Sequence, residues 1–172
     1  MTRIPYEEAL ALTGALERLA PFDPHIAGTP PLGIALPSSD IDILCETHDP
    51  AIFADYLRDK FGSMAGFELH ARPELKAVIG RFEAHGWPFE IFGQAVPIVQ
   101  QQGWRHFLME KRLLTLGGDD LRDRIMVLRR SGLKTEPAFA QTLALSGDPY
   151  AAILALEGWS NDALLTLVRA RG

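Results

Sequence analysis

Long apolar runs are missing from this 172-residue chain. No segment approaches the roughly 20 consecutive apolar residues that span a bilayer, so no membrane-crossing helix is expected. Cysteine is reduced to Cys45 alone. That excludes an internal disulfide framework and a cysteine-rich zinc site. Basic charge is not in excess: 17 Lys and Arg face 22 Asp and Glu, a formal net charge of −5. This balance argues against a general nucleic-acid coat. The first twelve residues carry one Arg, two Glu and no apolar h-region, so no secretory signal is expected there. Cytoplasmic localisation is the resulting expectation. What is present is ordinary globular material, 47% hydrophobic and 23% charged, able to bury a core. The length suits one domain, or one domain with a helical appendage.

The charge is unevenly spread. Residues 105–134 hold eight of the 17 basic residues against four acidic ones, a segment of +4 in a chain of −5. Such a segment needs a partner or an acidic neighbour within the chain.

Apolar periodicity predicts a helix over 5–20, ended by Pro21. A short strand at 24–27 is broken by Gly28-Thr29-Pro30-Pro31. Residues 40–45 alternate and read as a strand. Asp49 then caps a helix with Pro50 at its first position, running to about Phe61. Strands are expected at 67–71, 76–84 and 87–92, the last two joined as a hairpin by His85-Gly86. Pro88 predicts an edge or a bulge where the last strand starts. A helical pattern from Pro97 stops at Gly117-Gly118, and Asp119 opens another to about Arg130. Short helices follow, capped by Thr135, Asp148 and Ser160. The fold class is therefore α+β: a small mixed β-sheet with flanking helices and a helical C-terminal region. The expected division is 1–117 and 118–172.

The chemistry concentrates in Ser39-Asp40-Ile41-Asp42-Ile43. Side chains alternate along a strand, so Asp40 and Asp42 share one face and Ile41 and Ile43 the other. Carboxylates about 7 Å apart along the backbone can share hard divalent cations. They can equally be the wet face of a half-buried strand. Gly28-Thr29 lies twelve positions before Asp40. There glycine allows close backbone approach, and a hydroxyl beside exposed N–H groups suits phosphate; the plain alternative is a turn. Phe89-Glu90-Ile91 offers one further carboxylate between apolar neighbours, with Glu83 as a rival. If its strand lies beside 40–45, Glu90 joins the aspartates. Three carboxylates buried together would demand cations. On the helix from Pro97, Gln101, Arg105 and Arg112 share a face, with His106 beside them. Arg105 could bind phosphate or simply pair with acidic residues of the chain. Cys45 reads as a buried, inert thiol.

Gly28-Thr29, Asp40-Ile41-Asp42-Ile43 and Phe89-Glu90-Ile91 together resemble the nucleotidyltransferase superfamily of DNA polymerase beta and the minimal nucleotidyltransferases. The resemblance covers about residues 24–92. Glu90-Ile91-Phe92-Gly93, Arg105-His106 and Gly132-Leu133-Lys134-Thr135-Glu136-Pro137 extend it to a family of uncharacterised bacterial proteins assigned to that superfamily. The resemblance implies a sheet of nucleotidyltransferase type. It implies Asp40, Asp42 and Glu90 as catalytic metal ligands for Mg²⁺, or Mn²⁺. Gly28 and Thr29 would contact a triphosphate, with Ser39 and Arg105 as further contacts. The implied reaction moves a nucleoside monophosphate from a nucleoside triphosphate to an acceptor and releases pyrophosphate. A small molecule or protein is favoured as acceptor over nucleic acid. The sequence departs from the pattern in Thr29, where Ser is usual, in Pro30-Pro31, where a helix usually starts, and in lacking an Arg after Gly-Thr. The alternatives are a catalytically silent nucleotide-binding or partner-binding module of the same fold, and a plain α+β interaction protein with surface carboxylates.

Overall fold

The computed structural model describes residues 3–170. The chain forms two compact units. The first runs to Pro31 and resumes over Ser38–Trp104; the second takes Leu32–Pro37 and the chain from Arg105 onward.

The first unit is built on a five-stranded sheet. Its strands are β1 (His25–Ala27), β2 (Ile41–Glu46), β3 (Ala65–Arg72), β4 (Ala77–Ala84) and β5 (Trp87–Gln94), in spatial order β1-β2-β5-β4-β3. Only the β2–β5 pair is parallel, so the sheet is mixed as expected. Ile41, Ile43, Phe89, Ile91, Val78 and Phe82 point to one face. Helices α1 (Tyr6–Thr13), α2 (Ala15–Arg18) and α3 (Pro50–Phe61) bring Leu10, Ala15, Phe53, Leu57 and Phe61 to the same core. Phe61, Phe82 and Phe89 stack in series, with ring centroids 5.1 and 4.8 Å apart. Stacked aromatics of this kind add about 0.5–1.5 kcal/mol per pair beyond their burial. The helix expected over 5–20 is interrupted at Gly14, the left-handed C-cap of α1. Helix α3 keeps its predicted start: Asp49 accepts hydrogen bonds from Ala51 N at 2.8 Å and Ile52 N at 3.3 Å. Such a cap contributes about 1 kcal/mol.

Strand β5 lies inside the sheet, not at its edge, yet Pro88 is accommodated. The two-residue turn pairs Ala84 with Trp87 and Glu83 with Pro88. Alternation of the antiparallel ladder turns the backbone nitrogen of Pro88 away from β4. Strand β2 meets β5 only from Phe89 onward. The missing N–H therefore removes no sheet hydrogen bond.

The second unit is helical. Helix α4 (Gln102–Arg130) starts within the first unit and continues through the second. It is broken at Gly118, whose φ of 60° and ψ of −152° no helix contains. That is the stop predicted at Gly117-Gly118, with the second segment resuming at once. Helices α5 (Thr135–Thr142), α6 (Pro149–Leu154) and α7 (Asn161–Arg169) follow. A Cβ on Gly117 would collide with Leu121 and crowd Val168 of α7, so that contact is a close one. Asp148 and Ser160 cap α6 and α7 as predicted, accepting from Ala151 N and Ala163 N. Thr135 instead lies inside α5, and its hydroxyl accepts a hydrogen bond from Arg129. Among the described residues, no helix is long and apolar enough to cross a membrane.

Candidate functional site

The first element of the candidate site is a close approach between two strands. Antiparallel pairing of β1 with β2 sets Ala27 opposite Asp42. The next residue, Gly28, has φ of +74°, and any Cβ there would run into the Asp42 carboxylate. Glycine is thus required twice at this position, by conformation and by space. Beyond it the chain makes a turn through Pro30 and Pro31, not a helix. The Thr29 hydroxyl donates to Ser39 Oγ at 3.0 Å, tying the start of that loop to its end. Ser39 is buried, and Asp40 and Asp42 are half-buried. Asp40 stands one residue before β2 begins.

The parallel β2–β5 register places Glu90 directly beside Asp42. Parallel neighbours lie about 4.8 Å apart, with their side chains on the same face. Ile41 and Ile43 fill the core behind them. The donor set is all oxygen, which fits a hard divalent cation such as Mg²⁺ or Mn²⁺. Glu90 is also engaged by a cation of the chain. Arg81 Nη2 lies 2.6 Å and Nε 2.8 Å from Glu90 Oε2. The hydrogen bond and charge of Glu90 raise the Arg81 pKa, and Asp40 adds to the effect. Arg81 was not among the residues singled out from the sequence, although its place was computable. A two-residue turn at His85-Gly86 pairs residue 84 with 87, and therefore 81 with 90. Glu83, the rival third carboxylate, pairs instead with Pro88 and Ala65.

Arg105 and His106 belong to the second unit. Arg105 grips Glu157, with Nε 3.0 Å from Oε1 and Nη2 2.6 Å from Oε2. This contact holds the Glu157 carboxyl below its usual range. Gln101, expected on the same helix face, is buried and donates to the backbone oxygens of Cys45 and Val96. His106 is buried too, and desolvation lowers its pKa. It stands with Glu110, one turn along α4, and Glu136, in the first turn of α5. One ligand atom from each lies within 4.8 Å of the others. Burial, reinforced by Glu136, pushes the Glu110 carboxyl well above its usual range, with Arg129 opposing. This group is distinct from Asp40, Asp42 and Glu90.

The mixed five-stranded sheet with flanking helices has the nucleotidyltransferase-type α+β fold, and solved structures share that fold. Cid1 poly(U) polymerase with MgGTP bound aligns at a TM-score of 0.60 and 13% identity, over 87% of this chain and 47% of that one. Cid1 described for its RNA terminal uridylyl transferase activity aligns at 0.57 and 14% identity, over 86% and 47%. The GLD-2/RNP-8 complex aligns at 0.57 and 10% identity, over 94% of this chain and 75% of that one. This chain thus spans about half the length of the Cid1 structures. No curated protein matches it. Residues 8–156 match the family model described as "Domain of unknown function (DUF4269)", and the chain belongs to that family.

Proposed function

We propose that this chain is a Mg²⁺-dependent nucleotidyltransferase acting on a nucleoside triphosphate in the cytoplasm. The observation that carries the reading is the register that sets Asp42 beside Glu90 while Gly28 makes room for the Asp42 carboxylate. Asp40 and Asp42 hold the divalent cation, and Glu90 contributes when it turns from Arg81. Gly28, Thr29 and Ser39 line the turn that receives the triphosphate, where the glycine lets the phosphates approach the backbone. Arg105, held by Glu157 in the second unit, is left out of this site. When bound, the metal neutralises charge on the phosphates and lowers the pKa of the attacking hydroxyl. An acceptor hydroxyl gives its proton to solvent as its oxygen bonds to the α-phosphorus, the bond from that phosphorus to the bridging oxygen breaks, and pyrophosphate leaves. The acceptor is a small molecule or a protein; RNA, the acceptor named for the Cid1 structures, is the competing arm.

A catalytically silent binding module is the second reading, and the Arg81–Glu90 contact favours it, because a guanidinium sits on the third carboxylate. The test is pyrophosphate release with Mg²⁺ and each of the four nucleoside triphosphates, using protein, small-molecule and RNA acceptors in turn. The transferase reading expects release that Asp42→Asn abolishes. Tight nucleotide binding without release in any arm supports the silent module instead.

A further inference from the structure

The second unit contains a buried polar group that the proposed transfer chemistry does not use. Glu110 is 4% and His106 7% exposed. Glu110 Oε1 and His106 Nδ1 lack a hydrogen-bond partner. Among the described residues, no Lys or Arg nitrogen comes within ion-pairing distance of Glu110 or Glu136. Arg129 is the nearby cation. Its guanidinium donates to Thr135, and its Nε also lacks a partner. Glu136 is half-buried, and the charge of Arg129 acts on both carboxylates. Buried polar atoms without partners are rare because each costs about 1–3 kcal/mol, so the unpartnered Glu110 Oε1 and His106 Nδ1 call for a ligand.

The geometry suits a metal ion. His106 and Glu110 are four residues apart on α4, hence one above the other on the same helix face. Glu136 comes from the first turn of α5, and the three donor atoms lie within 4.8 Å of one another. Donors about 2 Å from a shared ion stand roughly 3–3.5 Å apart, so binding asks for a closure of at most about 1.5 Å. One imidazole nitrogen with two carboxylate oxygens selects a transition ion of the zinc class over Mg²⁺, which prefers oxygen alone.

We propose that His106, Glu110 and Glu136 form a second metal site, specific for a zinc-class ion, that ties α4 to α5. It is separate in residues and in ligand chemistry from the carboxylates of the sheet.

The test uses the full chain, stripped with a chelator, and titrated calorimetrically with Zn²⁺ in millimolar Mg²⁺. The expected result is one equivalent of Zn²⁺ bound, undisturbed by Mg²⁺ and retained by Asp40→Asn/Asp42→Asn. Second-layer partners of metal ligands already contribute 10–100-fold to affinity, so His106→Gln and Glu110→Gln each lose at least about tenfold. Glu136→Gln, at a half-buried position, gives the same loss and serves if the buried variants do not fold. Co²⁺ bound to the unmutated chain develops visible absorption from a nitrogen-containing ligand set. Absence of saturable Zn²⁺ binding overturns the proposal. So does binding that the His106 and Glu136 variants keep, or that Asp40→Asn/Asp42→Asn removes. None of these outcomes depends on transfer activity.

Discussion

Two acidic groups in this protein are assembled in opposite ways. The sheet group sits half-buried on parallel neighbours, with Arg81 on Glu90. In the helical group His106 and Glu110 are buried and Glu136 half-buried, with Arg129 acting on both carboxylates. Water and a mobile guanidinium can satisfy the first, so its carboxylates cost little while they await a ligand. In the second, Glu110 Oε1 and His106 Nδ1 have no such recourse. The difference separates a site poised for a transient, phosphate-borne cation from one that would hold an ion as part of the fold.

The most forceful way to test the first half of that contrast is Asp42→Asn. Losing one preorganised electrostatic contact at a reacting centre costs on the order of 10²–10³ in rate. Pyrophosphate release should fall by at least that, while the melting temperature stays close to the unmutated value. A variant that keeps its activity removes Asp42 from the site. Gly28→Ala should act on structure as well as on activity. A side chain at positive φ, pressed against Asp42, should destabilise the first unit by about 1–3 kcal/mol. Urea midpoints measure this, and an unchanged midpoint would mean that β1 and β2 do not pack so closely.

Arg81→Gln tests whether the guanidinium competes with metal for Glu90. A partly exposed ion pair contributes up to about 1 kcal/mol, so the half-saturating Mg²⁺ concentration should drop by no more than about fivefold. A rise in that concentration would make Arg81 a phosphate ligand, not a competitor. The smallest effect concerns Cys45, which shares β2 with Asp42 but faces the core. Burial, helped by Asp23, pushes its thiol up to about 12. The folded value exceeds the unfolded one near 9, so the folded state keeps its proton longer. Stability is then unaffected by this thiol below pH 9 and falls as pH rises from 9 towards 12. Alkylation at pH 8 should proceed only in denaturant; rapid native alkylation would place Cys45 outside the core.

The same contrast explains what the sequence could reveal. The Asp40–Ile41–Asp42–Ile43 alternation, the Asp49-Pro50 cap and the His85-Gly86 turn are local, so the strand, α3 and the hairpin were legible. Even Arg81 opposite Glu90 follows from counting back from the turn. The parallel β2–β5 pairing was not legible, because it depends on a crossover of α3, β3 and β4. Nor was the His106–Glu110–Glu136 group. His106 and Glu110 read as one turn of a helix, but only the chain reversal after Gly132 brings Glu136 to them. The apolar stripe continues through Gly14, so it does not reveal the break of α1 there. A Ser or Thr before a helix usually caps it, yet the Thr135 hydroxyl is engaged by Arg129.

The central claim is that Asp40 and Asp42 hold the metal that brings a nucleoside triphosphate to this fold. The direct test is a calorimetric titration of a non-hydrolysable ATP analogue, with and without Mg²⁺, into the unmutated chain and Asp40→Asn/Asp42→Asn. The account predicts saturable binding that requires Mg²⁺ and disappears in the double variant. Binding of equal strength in the folded double variant would contradict it.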